Sequence, residues 1–207
     1  MSDSPAPIQT PPTRPDRAVG LLGGSFDPPH AGHLHISTWA RRALGLDQVW
    51  WLVSPGNPLK DQGPADIDRR MAACRDLVAG TGIQISDVEQ HLGSPYSADT
   101  LAWLIRRHRR TRFVWLMGAD NLASFHHWHA WRWIMVTVPI AVFARPGQQV
   151  RAGLGPAAQL YRDRRLPADA ARLLARPGPA RWVLLTGPMS DQSSTAIRNA
   201  GNWPRRP

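Results

Sequence analysis

Gly23-Gly24-Ser25-Phe26-Asp27-Pro28-Pro29-His30-Ala31-Gly32-His33 is the stretch on which the fold turns. It follows Val19-Gly20-Leu21-Leu22, a short apolar run of the kind that forms a buried strand, and it leads into His33 to Leu44, where Leu34, Trp39 and Leu44 recur at helical spacing. The glycines therefore sit where a strand becomes a helix. Gly23 and Gly24 leave backbone amides uncovered by side chains, and a helix opening near Pro29 adds roughly half a positive charge at its first turn. Such a turn is built for an anion of phosphate size. His30 and His33 stand three residues apart on that first turn, so both imidazoles project from one face towards whatever the amides hold. Gly32 between them lets a flat group approach bare backbone.

Phosphoryl and nucleotidyl transfers need positioning and charge neutralisation at phosphorus more than a protein nucleophile. Two imidazoles beside a helix start supply both. The turn lacks the Gly-x-x-x-x-Gly-Lys-Ser/Thr pattern of a P-loop and the Gly-x-Gly-x-x-Gly of a dinucleotide turn. The bland readings of the pair are a helix cap or half of a zinc site. Zinc would need more ligands, and the other histidine group, His126, His127 and His129, comes with a single cysteine, Cys74. A metal held by protein side chains is not expected.

At 207 residues, 43% of them apolar, the chain is long enough for one proper core and is expected to form a single domain over residues 18–200. Residues 1–17 hold five prolines and few large apolar side chains, which predicts a disordered tail, and 201–207 read as a loose end. There is no basic start followed by an apolar stretch, and no run of 18 apolar residues, so neither secretion nor membrane insertion is expected. One cysteine suits a reducing compartment, and the cytoplasm is the expected home.

The formal charge of +10 raises nucleic acid as a partner. Against it, Lys60 is the only lysine among 25 basic residues, and the arginines spread from Arg14 to Arg206. Only Arg106 to Arg112 is dense, at a junction where a solvated helix end accounts for it. A nucleic-acid partner is therefore not expected. Lys60 itself closes Ser54-Pro55-Gly56-Asn57-Pro58-Leu59-Lys60, a proline-rich loop after the apolar run Val49 to Val53. That is where an open α/β sheet places ligands.

Predicted strands at 18–23, 48–53, 83–87, 112–117, 139–144 and 182–186 alternate with helices at 31–44, 66–79, 97–108 and 194–200 and with helical pieces between 119 and 136. Alternation of this kind implies an α/β fold with a doubly wound parallel sheet. Residues 151–179 show only one candidate helix, near 168–175. Two later turns repeat the first. Asp120, after strand 112–117, is either a helix cap or a carboxylate for ribose hydroxyls or a metal-bound phosphate. Ser193-Ser194-Thr195-Ala196-Ile197-Arg198 opens a helix with hydroxyls and amides and adds a full charge one turn on, suited to a second set of phosphate oxygens. Among ten tryptophans, Trp103, Trp115 and Trp133 have core spacing, whereas Trp128 is either core or a flat face for a heteroaromatic ring.

Taken in order, these motifs resemble the bacterial nicotinate-nucleotide adenylyltransferases of the nucleotidyltransferase superfamily. Gly23 to His33 and Ser193 to Arg198 are similar to the two signatures of the superfamily. Pro55 to Lys60, Ser94-Pro95-Tyr96-Ser97-Ala98-Asp99-Thr100-Leu101, and Gly118-Ala119-Asp120 followed by Trp128 are similar to segments of the family. The resemblance implies a Rossmann-like nucleotidyltransferase fold and transfer of AMP from ATP to nicotinate mononucleotide, with Mg2+ carried mainly on the ATP phosphates. It implies that His30, His33, Arg198, the amides near Gly24, Ser25 and Phe26, and the Ser193, Ser194 and Thr195 helix start hold the triphosphate, with Gly32 and Asp120 by the adenosine. Asn57, Lys60, Ser97, Ala98, Trp128 and His129 fall to the mononucleotide. The small-molecule partners are then ATP and nicotinate mononucleotide, and a monomer and a homo-oligomer fit the sequence equally. The rivals are a phosphopantetheine adenylyltransferase or cytidylyltransferase with the same histidine turn, and an arginine-rich nucleic-acid binder.

Overall fold

A computed structural model describes residues 8–56, 63–144, 153–187, 194–201 and 203. The chain runs β1 (Ala18–Gly24), α1 (Ala31–Leu44), β2 (Gln48–Val53), α2 (Ile67–Val78), β3 (Gln84–Ser86), α3 (Val88–Leu92), α4 (Ser97–Arg107), β4 (Arg112–Gly118), α5 (Ala119–Ser124), α6 (Trp131–Thr137), β5 (Ile140–Ala144), α7 (Pro156–Leu160), β6 (Arg165–Leu166), β7 (Trp182–Thr186) and α8 (Ser194–Asn199). Short 3-10 turns cover Phe125–His127, Arg162–Arg164 and Ala168–Ala175.

All seven strands join one parallel sheet in the order β3-β2-β1-β4-β5-β7-β6. The chain winds outward from β1 through β2 to β3, then crosses back to lay β4 on the other side of β1. That reversal opens a crevice at the carboxyl ends of β1 and β4, the place where doubly wound sheets bind ligands.

Successive strand residues point to opposite faces, and both faces are covered, so the strands are apolar throughout. Val19, Leu21, Trp50, Leu52, Phe113, Trp115 and Met117 pack with α3 to α7. Leu22, Trp51, Val53, Val114 and Leu116 pack on the other face with α1, α2 and the 168–175 turn. Trp103 and Trp133 lie partly buried at the rim of the first core. Helix α1 ends where Gly45 takes a left-handed φ of 69° and its N–H reaches the Arg41 carbonyl.

Several elements differ from the sequence expectation. Residues 8–17 are not a free tail: Ile8 packs on the first core, Thr10 Oγ1 is hydrogen-bonded to His108 Nε2 at 3.0 Å, Gln48 Nε2 donates to the Pro12 carbonyl at 3.2 Å, and Asp16 pairs with Arg110. Pro11, Pro12 and Pro15 restrict the backbone of this strip, which reduces the entropy lost on docking. Nor is Trp203 loose, since its indole is seated on Asp27. Helices α3 and α7 and strand β6 are too short to show a period, and the expected helix at 168–175 is wound as 3-10.

Candidate active site

Helix α1 begins with an exchange between the two histidines. His30 is the N-cap, outside the first turn rather than on it, and its Nδ1 accepts from Gly32 N at 3.1 Å, while His33 Nδ1 accepts from His30 N at 3.2 Å. This is a capping box in which imidazoles replace the usual hydroxyl and carboxylate. The bland reading is therefore correct as far as it goes: the pair caps the helix. It also has a chemical result. With Nδ1 of each neutral ring acting as acceptor, the ring proton resides on Nε2, on the side away from the cap backbone. The rings lie 3.9 Å apart by centroid. Desolvation, reinforced by His30, pushes the pKa of His33 down to about 3, so His33 is an N–H donor and not a cation near neutrality.

The turn before the helix is held from below. Phe26 takes a left-handed φ of 47°, unfavourable for a residue with a Cβ, and its buried ring fixes it by stacking on Trp51 at 4.8 Å and meeting His33 at 4.7 Å. A Cβ on Gly23 would lie 2.4 Å from the Trp115 ring, so this glycine is required for strand packing. Ser54 N donates to the Gly24 carbonyl at 2.9 Å. Arg70, only 1% exposed, donates to the carbonyls of Ser25 (2.6 Å), Ala65 (2.7 Å) and Ser54 (2.8 Å). It thereby ties the β1 turn to the end of β2 and the start of α2, and sets a buried positive charge beneath the loop. Asp27, also 1% exposed, faces it electrostatically and accepts from Ala65 N at 3.3 Å and Trp203 Nε1 at 2.7 Å.

Across from this turn stands α8. Arg198 Nη1 donates to the Asp27 carbonyl and the guanidinium is 3.7 Å from the Asp27 carboxylate, while Nη2 donates to Thr195 Oγ1 at 3.1 Å. Ser194 Oγ donates to the Pro28 carbonyl at 2.9 Å. The two phosphate-suited segments, some 170 residues apart in sequence, are thus in contact. The hydroxyls of Ser194 and Thr195 anchor the helix and its arginine here. Gly32 is buried in the first turn of α1.

On the other side of the crevice, Asp120 is the second residue of α5 and exposed; the N-cap is Gly118, so capping does not account for the carboxylate. Its Oδ1 folds back to within 2.4 Å of where a Gly118 Cβ would stand. Ser97 opens α4 and Ala98 is buried behind it. Tyr96 stacks on His129 at 4.5 Å, which brings the start of α4 to the segment after α5. Trp128 is half-buried, edge-on to Trp115 at 6.3 Å and tilted on Phe125 at 5.1 Å. Trp115 then links it to Gly23 and the phosphate turn. Ala130, two residues after Trp128, is in a left-handed conformation with φ 49°. Thr100 Oγ1, Trp115 Nε1 and His126 Nδ1 are buried with no hydrogen-bond partner among the described residues. Asn57, Lys60 and Ser193 lie outside the described residues.

Sequence reasoning missed Asp27, Arg70, Trp203 and Glu89. Arg70 reads locally as one more surface arginine on an amphipathic helix, and nothing in its neighbours shows that it is buried. Glu89, in α3, is 4% exposed, has no hydrogen bond or ion pair among the described residues, and has its pKa pushed up to about 7 by burial. Cys74 is buried in α2 and its thiol is pushed up to about 12 by desolvation, which leaves no thiolate for chemistry.

The cytidylyltransferase-like family matches residues 21–200. A probable nicotinate-nucleotide adenylyltransferase of Ruegeria pomeroyi is 52% identical over 190 residues, covering 92% of this chain and 89% of its own. One from Cereibacter sphaeroides is 54% identical over 186 residues, covering 89% and 98%. Among solved structures, the nicotinic acid mononucleotide adenylyltransferase of Plasmodium falciparum complexed with NaAD superposes with a TM-score of 0.67 over 88% of this chain and 83% of that one. At 14% identity it shows the fold alone.

Proposed function

The chain belongs to the nicotinate-nucleotide adenylyltransferases within the cytidylyltransferase-like family, and from that membership we propose how its own residues carry out the transfer. The enzyme moves AMP from ATP to nicotinate mononucleotide, giving nicotinate adenine dinucleotide and pyrophosphate in NAD biosynthesis. A phosphate oxygen of the mononucleotide attacks the α-phosphorus; the bond from that phosphorus to the oxygen bridging it to the β-phosphorus breaks opposite, and its electron pair leaves with pyrophosphate. The protein aligns the two phosphates and stabilises charge as it moves to the leaving group.

The observation that carries this reading is the reciprocal cap, which fixes the proton on Nε2 of both His30 and His33 at the crevice between β1 and β4. These N–H groups, the amides at Gly24, Ser25 and Phe26, the α1 terminus and the Arg198 guanidinium form the triphosphate cradle, with Ser193, Ser194 and Thr195 at the second helix start. Gly32 and Asp120 serve the adenosine. Ser97, Ala98, Trp128 and His129 serve the nicotinate, and Asn57 and Lys60 also bind the mononucleotide. Among the described residues no three His, Cys, Asp or Glu side chains group to hold an ion. Independently of that, we assign the divalent cation as Mg2+ carried mainly by the ATP phosphates, whose charge it would neutralise when bound.

No described helix is long and apolar enough to cross a membrane. The lone buried Cys74 fits a reducing compartment, and we place the enzyme in the cytoplasm.

The test is pyrophosphate release from ATP with three acceptors: nicotinate mononucleotide, its amide counterpart and phosphopantetheine. Turnover is expected with the first and little with the second, because donors aimed at a carboxylate are left unpaired by an amide. Preferred turnover of phosphopantetheine would sink the substrate assignment.

A further inference from the structure

Helix α8 carries Arg198, yet none of its side chains is buried. Six residues are too few for a helix to persist alone in water, so its position depends on contacts outside itself. Those contacts converge on Asp27 and Pro28. Ser194 Oγ holds the Pro28 carbonyl, Arg198 holds the Asp27 carbonyl, and the guanidinium stands 3.7 Å from the Asp27 carboxylate. Five residues beyond Arg198, Trp203 returns to the same carboxylate and donates Nε1–H to Oδ1 at 2.7 Å. The Arg69 guanidinium of α2 lies 3.8 Å from the centre of the indole. The helix is therefore fastened at both ends, and one fastening is a side chain that sequence alone reads as part of a loose end.

A buried carboxylate is costly unless its oxygens are hydrogen-bonded. Without the Trp203 N–H, Oδ1 loses its 2.7 Å donor while the Ala65 amide stays at 3.3 Å, and the Arg198 guanidinium, 3.7 Å from the carboxylate, is placed to be drawn further onto it. A guanidinium drawn fully onto Asp27 is one withdrawn from a nucleotide. We propose that Trp203 is a positioning residue for adenylyl transfer: by satisfying Asp27 and pinning α8, it keeps Arg198 available to the triphosphate. This rests on the assignment of Arg198 to the triphosphate made above.

The experiment uses the full chain and compares Trp203→Phe, Trp203→Ala, Arg198→Ala and the double variant W203A/R198A with the parent by steady-state pyrophosphate release. Trp203→Phe keeps a ring for Arg69 and removes only the N–H. The expected result is a KM for ATP raised about tenfold in Trp203→Phe and further in Trp203→Ala, a tenfold change being about 1.4 kcal/mol. KM for nicotinate mononucleotide should stay within about twofold and the melting temperature within a few degrees, with no added loss when Trp203→Ala is placed on Arg198→Ala. Unchanged KM for ATP in both single variants overturns the proposal. So does an equal rise in both KM values with a lowered melting temperature, or full additivity with Arg198→Ala. A parent enzyme that releases no pyrophosphate, or an Arg198→Ala variant with the parent's KM for ATP, instead removes the functional reading on which the proposal stands.

Discussion

Two residues illustrate how the same physical cause, burial, sets opposite pH behaviour. His33 is held neutral by desolvation with a pKa near 3, so its Nε2–H is present across the ordinary working range. His33→Ala should lower kcat about a hundredfold, roughly 2.7 kcal/mol, in a pyrophosphate-release assay, the loss typical of one transition-state donor. The parent's kcat/KM for ATP should show no limb near pH 6.5 from this group. Glu89 is the reverse case. Its pKa rises from 4.5 to about 7, so the stability held below pH 4.5 is lost progressively as pH rises through 7. Glu89→Gln should therefore melt like the parent near pH 4 and be more stable by about 3 kcal/mol at pH 8, checked by denaturant unfolding at both values.

At the scale of elements, the seam between β1 and β4 governs the site. Gly23 leaves room for Trp115, and Trp115 meets Trp128, so the turn after β1 and the Trp128 segment share one packed row. Gly23→Ala should lower stability by about 1–3 kcal/mol through overpacking and raise KM for both substrates, measured by unfolding and initial rates. The strands and long helices were legible in the chain because the strands are short continuous apolar runs and the helices recur at period 3.6, and β1, α1, β2, α4 and β7 fall within a residue or so of expectation. The histidine turn was legible because its chemistry is local. The rest was not. Helix α3 has five residues and β6 two, shorter than either period needs. The link of Asp27 to Arg70, Arg198 and Trp203 joins positions more than 40 and more than 170 residues apart, and no local pattern records such a distance. Imidazoles replacing the capping hydroxyl likewise hid that His30 ends the turn rather than beginning the helix.

Over the whole molecule, the strip at 8–17 clasps the sheet on the side of Trp50 and His108, the latter 5.8 Å from the Trp50 ring. Its ion pairs, Asp16 with Arg110 and Arg17 with Asp47, are exposed and contribute little. The apolar contact of Ile8 and the buried Pro11 contribute more. Removing residues 1–13 should lower the melting temperature by several degrees while leaving kcat within about twofold, seen by calorimetry and rate assay together. The excess of positive charge acts at longer range. It should make kcat/KM for ATP fall as salt rises from 50 to roughly 300 mM while kcat stays nearly level, since screening weakens the approach of a polyanion and not its chemistry. The contact of Asp27 with Arg198 has a consequence for biosynthesis. In translation order Asp27 follows β1 and Arg198 follows β7, so on a ribosome they can meet only after every strand of the sheet has been made.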